Sequence, residues 1–155
     1  MARVDFHSGV GDKLTYTCRL VRKILASSPQ NEALRRVVIL GQEHLLTQLN
    51  QLLWTFAPEE FLPHCFATDE AAPITPIVLA SQWDDAVFDT LPHADVFIHL
   101  DQTFLSNAAQ LVERFPRMIE VVSLEQNDLL AGRERYKQYR TLGYELHNHD
   151  QKGIS

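Results

Sequence analysis

The stretch of this chain richest in chemistry is Arg133-Glu134-Arg135-Tyr136-Lys137-Gln138-Tyr139-Arg140. It puts four cations and two tyrosines within eight residues of a protein whose net charge is −6. On a helix, Arg133, Tyr136, Lys137 and Arg140 fall at i, i+3, i+4 and i+7 and share one face. Cationic heads beside an aromatic body suit a ligand that is acidic and apolar together, because a charge-assisted hydrogen bond to a carboxylate is of the strong class. A solvated helix face is the competing reading, since cations late in a helix favour its dipole. Two features weigh against it: the cations gather against the sign of the whole chain, and tyrosines are interleaved with them.

Aromatic side chains form a second group. Trp54 is followed within twelve residues by Phe56, Phe61 and Phe66, with Pro58 and Pro63 among them. Aromatics on a proline-stiffened segment beside an edge strand suit a partner-docking surface, because large aromatics dominate interface energies. The alternative is that they seal the sheet edge into the core. Trp83 carries the same ambiguity.

Other chemistries are poorly supplied. Of seven histidines, only His64-Cys65 and His147-x-His149 involve close spacing, and neither gives a metal-binding pattern. His7 and His99 fall on predicted strands, where a packed, hydrogen-bonded histidine is the usual case. No GxSxG elbow marks a nucleophile. Asp84-Asp85 and Glu59-Glu60 are adjacent pairs whose side chains point apart. Gly9-Val10-Gly11 suggests a dinucleotide turn, but position 14 is Leu, and Lys13 is not part of a Gly-Lys-Ser/Thr run. It reads as a tight turn before a helix. A nucleotide- or phosphate-utilising α/β enzyme using Gly9–Gly11 is the alternative function. No metal and no cofactor is expected. Cys18 and Cys65 lie far apart, and Cys18 belongs to a helix stripe.

The elements that would position these residues follow from periodicity. Residues 3–8 alternate as a strand, and Asp12 can cap a helix over about 12–27, ending in the loop Ser27 to Asn31. Arg36–Leu40 is a nearly all-apolar strand of the kind buried in a parallel sheet. A helix of about 42–55 follows. Phe61–Phe66 and Ile74–Leu79 are strands that contain Pro63 and Pro76 and so belong near an edge, with a polar, mobile excursion over 67–73 between them. Residues 81–86 are weakly helical. Asp95–Leu100 is a buried strand, 108–115 a helix stopped by Pro116, and Met118–Val122 a strand. Ser123 and Gln126 fit a capping box, and Gly143 a C-terminal stop, so 124–142 reads as one helix. Residues 144–147 read as a last short strand, with 148–155 a frayed tail. The order predicts an α/β fold with right-handed crossovers: one domain over 1–147, a mostly parallel Rossmann-like sheet flanked by helices, the nucleotide site absent.

Composition bounds the function classes. A content of 45% hydrophobic and 22% charged residues is that of an ordinary globular protein. The negative net charge argues against broad contact with a phosphate backbone. No apolar run approaches the roughly 20 residues a membrane span requires, and the start of the chain lacks the apolar core of a signal peptide. A cytoplasmic location with reduced thiols is expected.

Three blocks resemble a known family. Arg133-Glu134-Arg135-Tyr136-Lys137-x-Tyr139-Arg140-x-x-Gly143-Tyr144 resembles the C-terminal signature of the chi subunit of bacterial DNA polymerase III. Leu53-Trp54 with Pro58-x-Glu60-Phe61-x-Pro63-His64 is similar to its middle signature, and Asp5-Phe6-His7 with Asp12-Lys13-Leu14 to one branch of the family. The resemblance implies a non-catalytic clamp-loader subunit with a nucleotide-binding-like fold that has lost its nucleotide site. It implies two partners, the psi subunit and the acidic, Phe-terminated C-terminal tail of single-stranded DNA-binding protein, with DNA contacted only indirectly and no membrane. By the same match, Arg133 and Lys137 would pair with tail carboxylates, Tyr136 and Val122 would line a pocket for the terminal ring, and Arg140 would assist. Trp54, Phe61, Pro63 and His64 would face psi.

Overall fold

The computed structural model describes residues 3–29, 34–57 and 59–152. Gln30 and Asn31 of the expected loop, Pro58 of the middle signature and the end of the expected tail, 153–155, lie outside the described residues. Thirteen elements follow in order: β1 (Arg3–Val10), α1 (Lys13–Ala26), β2 (Val37–Leu40), α2 (Glu43–Thr55), β3 (His64–Phe66), a 3-10 turn (Ala72–Ile74), β4 (Ile77–Ala80), α3 (Asp85–Thr90), β5 (Val96–His99), α4 (Ala108–Arg114), β6 (Arg117–Ser123), α5 (Gln126–Thr141) and β7 (Glu145–Asp150).

The seven strands form one sheet in the order β3-β4-β2-β5-β6-β1-β7. All six pairings are parallel. The central strands β2, β4 and β5 are buried at every residue, because helices cover both faces and leave no polar side for alternation to mark. On one face, α1 and α2 pack Cys18, Val21, Ile24, Leu46 and Leu49 onto Ile39, Ile98 and Ile119. On the other, α4 and α5 pack Leu111, Val112 and Tyr139 onto Val38, Phe97 and Met118. Each such side chain taken out of water contributes about 1.5–3 kcal/mol. Trp83 is core: it meets Phe97 and Phe115 edge-on at 5.9 and 6.2 Å.

Several boundaries differ from expectation for local reasons. Pro76 sits before β4 rather than inside it, so the ladder keeps every donor, and β4 lies second from the edge. The excursion after β3 is built of hydrogen-bonded turns around Asp69, and Ala72 is fully buried. The helical turn expected over 81–86 begins at Asp85, capped by Asp84. The last strand runs to Asp150 because its whole length pairs with β1, and Gln151 N–H still donates to Ser8 O. Asn148, His149 and Asp150 are therefore strand and not a frayed tail.

Candidate functional site

Helix α5 carries the basic segment, and its ends explain its span. Asp12 caps α1 as expected, but the N-cap of α5 is Glu125, not Ser123. The Glu125 carboxylate accepts from the N–H groups of Asn127 and Asp128, each at 3.1 Å. Ser123 is committed to the sheet opposite Val10, and its N–H donates to Asp128 Oδ2 at 2.7 Å. At the other end Gly143, at φ +88°, donates to Arg140 O while Tyr144 N–H donates to Tyr139 O. That is the Schellman arrangement, and a residue bearing a Cβ is disfavoured at that φ.

The helix divides the basic segment by face. Asp128, Gly132, Arg135 and Tyr139 form the buried stripe. Gly132 lets α5 approach β6 closely: a Cβ there would stand 2.7 Å from Val122 Cγ2. Arg135 is 1% exposed and reaches an acid inside the sheet, its Nε donating to Glu120 Oε1 at 2.9 Å. Tyr139 Oη donates to Glu120 Oε2 at 2.7 Å, and His99 Nδ1 lies 2.8 Å from Oε1. Burial alone would raise the Glu120 pKa, but His99, Arg135 and Tyr139 together hold it below the ordinary carboxylate value. Burial, followed by the Glu120 charge, drives the Tyr139 hydroxyl far upward. This cluster escaped the sequence reading, although one signal was available. Glu120 interrupts an otherwise apolar run, Met118 to Val122, and a buried acid requires a cation and further hydrogen bonds.

The outward stripe is differently placed. Arg133, Lys137 and Arg140 are exposed. Tyr136 is half-buried, its ring edge-on to Phe6 at 5.1 Å, and the Arg140 guanidinium carbon lies 5.6 Å from the Tyr136 centroid. Lys137 Nζ is 4.0 Å from Glu134 Oε2 with both side chains 68% exposed, a contact worth little. The structure thus brings Arg133, Tyr136, Lys137 and Arg140 together. Val122 is 2% exposed, under the helix at Gly132, so it supports the site from beneath. Beside the helix a shallow cleft of about 470 Å³ is lined by Phe104, Glu134, Lys137, Gln138, Thr141 and Leu142. Phe104 had no sequence signal, because only the fold brings the loop after β5 to α5, where it meets Leu142 at the helix C-cap in one cleft.

At the β3 edge the aromatics separate into two roles. Phe56 and Phe66 pack against the core. Trp54 and Phe61 are 56% and 71% exposed, with ring centroids 5.9 Å apart. His64 is buried against Trp54 at 4.5 Å, its ring nitrogens facing Leu62 O at 2.6 Å and Asn50 O at 3.2 Å. Pro63 is half-buried beside it. Arg22 on α1 fastens the loop with a two-pronged pair to Glu60 at 2.9 and 2.7 Å. One patch therefore unites Trp54, Phe61, Pro63 and His64.

The Gly9–Gly11 turn offers no open phosphate cradle. Asp12 Oδ1 already accepts from the N–H groups of Leu14 and Thr15, both at 3.1 Å, and so places a negative charge where a phosphate would sit. Lys13 Nζ is spent on Leu100 O at 2.8 Å and Asp128 Oδ2 at 2.8 Å. Burial opposes ionisation of Asp128, yet the bonds from Lys13 and the Ser123 N–H hold its pKa down. Among the described residues, no group of three His, Cys, Asp or Glu is placed to hold a metal. No helix among them is long and apolar enough to cross a membrane.

Comparison with known proteins adds two findings. Residues 1–147 match the family described as DNA polymerase III chi subunit, HolC. The chain is also similar to the DNA polymerase III subunit chi of Pseudomonas aeruginosa, 27% identical over 153 residues that cover 96% of each chain.

Proposed function

The chain belongs to the DNA polymerase III chi subunit family, whose members are accessory subunits in DNA replication, and on that premise we propose that it is a non-catalytic adaptor. In this reading its α5 face captures the acidic, Phe-terminated C-terminal tail of single-stranded DNA-binding protein, and its β3-edge patch docks the psi subunit of the clamp loader. It acts in the cytoplasm and requires no cofactor, and through these two surfaces it reaches DNA only by way of its partners.

The observation that carries the reading is the outward stripe of α5. Three exposed cations, Arg133, Lys137 and Arg140, surround a half-buried tyrosine in a protein of net charge −6. Arg133 and Lys137 pair with tail carboxylates, including the terminal one. Tyr136, backed by Phe6, offers the apolar wall for the terminal ring, with Val122 buried beneath the helix at Gly132. A weak contact suffices, because many tails presented on one coated strand raise the effective concentration.

The test is a titration with a labelled acidic peptide ending in Phe, against the same peptide amidated at its C-terminus. Saturable binding of the free acid, lost on amidation, is expected; equal binding of both forms would remove the terminal carboxylate from the model of recognition. For the second surface, Trp54→Ala with Phe61→Ala is expected to abolish co-purification with psi, since exposed paired aromatics are typical interface anchors. Retention of psi by that double variant would exclude the patch.

A further inference from the structure

The face of the β1–β7 edge turned away from α5 carries a groove of about 1130 Å³ that neither partner surface uses. Its floor is made by alternate residues of β1, Arg3, Asp5 and His7, with His149 of β7 in register beside His7. Its wall is one stripe of α1, where Tyr16, Arg19 and Lys23 stand at i, i+3 and i+7. Arg117, the first residue of β6, also lines the groove.

Charge in this groove is sorted. The two carboxylates are already occupied: Asp5 accepts from Arg3 at 2.9 Å and lies 3.1 Å from His149 Nε2, and Asp12 caps α1 at the far end. The side chains of Arg19, Lys23 and Arg117 line the groove with no hydrogen bond or ion pair to any described residue. Burial pushes the His7 imidazole down to about 4, and the charges of His149, Arg117 and Lys23 push the same way, with Asp5 opposing. Neutral His7 is hydrogen-bonded to the Tyr16 hydroxyl, and the two rings meet edge-on at 5.7 Å. A pair of rings in contact thus shares one groove with side-chain cations that have no partner among the described residues, in a protein of net charge −6.

We propose that this groove binds a phosphate-bearing nucleotide, its phosphate held by Arg19, Lys23 and Arg117 and its base laid against Tyr16 and His7. Guanidinium forks match phosphate oxygens two at a time, and a terminal phosphate offers three oxygens where a carboxylate offers two, enough to engage several cations at once. Aromatic faces accept any base by stacking. Arg19 and Lys23 follow Tyr16 by about 4.5 and 10.5 Å along the helix, a separation that one nucleotide bridges. Lys23, late in α1, and Arg117, at the start of β6, lie away from the strand C-termini where such sheets usually take nucleotides, while the Gly9–Gly11 turn lines the opposite end of the groove. The nucleotide can be free or one unit of a single strand, since both present the same phosphate and base.

Titration of the full chain with thymidine monophosphate, a short oligothymidylate and a glutamate-rich peptide of equal charge, followed by NMR, tests this. Saturable binding of the mononucleotide identifies a free nucleotide as ligand; binding of the oligomer alone identifies a strand. In either case Arg117→Gln and Lys23→Gln are expected to weaken binding at least tenfold, with the Arg133→Ala, Lys137→Ala double variant unchanged. The His7 titration is expected to move upward in the complex, because a bound anion stabilises the imidazolium. Arg19→Gln keeps the test intact if either of the other variants fails to fold. Binding by neither nucleotide form, equal binding of the peptide, or affinity unchanged in Arg117→Gln and Lys23→Gln would overturn the proposal.

Discussion

Arg133 and Arg135 stand two residues apart on α5 and live in different media. Arg135 is 1% exposed and bound to an acid that is itself fully buried; Arg133 is exposed and makes no ion pair with any described residue. The tyrosines divide likewise: Tyr139 is buried and donates to Glu120, whereas Tyr136 keeps part of its ring at the surface. Two residue types are thus used for two purposes one helical step apart. In the low-dielectric interior a lone charge is costly, so Arg135 and Glu120 depend on each other. At the surface a charge is cheap to leave unpaired, and the outward cations remain available to a ligand. Charge density along the sequence therefore says little about charge available for binding until the helix is oriented.

The comparison can be broken most forcefully from the inside. Arg135→Ala leaves Glu120 buried without its cation and is expected to cost about 3–5 kcal/mol. At about 2–4 °C per kcal/mol for a chain of this size, the thermal midpoint should fall by roughly 6–20 °C in calorimetry. A loss no larger than that of Arg133→Ala would mean that the two faces are not distinct. Next in size is Gly132→Ala, whose Cβ would press on Val122. Overpacking of this kind costs about 1–3 kcal/mol, and a urea midpoint unchanged from wild type would show that α5 can lift off β6 freely.

pH sharpens the same contrast. The Glu120 pKa is held below its ordinary value, so its contribution to stability is present above the unfolded carboxylate value of about 4.3. It is lost as pH falls through the folded value. In Arg135→Ala burial dominates and the Glu120 pKa rises, so the destabilisation should be smaller at pH 5 than at pH 7. Urea unfolding at both values checks the sign. The smallest effect belongs to the outer face. Arg133→Ala and Lys137→Ala should each weaken binding of the acidic tail by about 1–2 kcal/mol, roughly five- to thirtyfold, with the thermal midpoint unmoved. Tail affinity unchanged in both variants would take the site off α5.

Much of the fold was legible locally. Asp12 as a cap, Gly143 as a stop, and the all-apolar runs Val37–Leu40 and Val96–Ile98 each announce their structure within a few residues, because caps, turns and burial on both faces act over a single turn or strand. The α5 N-terminus misled for the same reason. Ser123 has the right spacing to Gln126, but the sheet claims it first, and Glu125 takes its place. Trp54 and Phe61 stood out by residue type, yet nothing in the sequence separated them from Phe56 and Phe66.

Residue order by itself determined the succession of strands and helices, their approximate ends and the spacing that puts Arg133, Tyr136, Lys137 and Arg140 on one side of a helix. Those are consequences of hydrogen bonding and side-chain periodicity over a few residues. Only the tertiary structure decided which side of α5 turns inward, since that depends on Glu120, fifteen positions before Arg135, and on His99, twenty-one before Glu120. It also decided that Arg19 and Lys23 of α1 and Arg117 of β6 share one groove with His7 while Asp12 and Lys13 shut the turn beside Gly11. Contacts between distant segments form only when the whole sheet has closed, and no local pattern carries their energy.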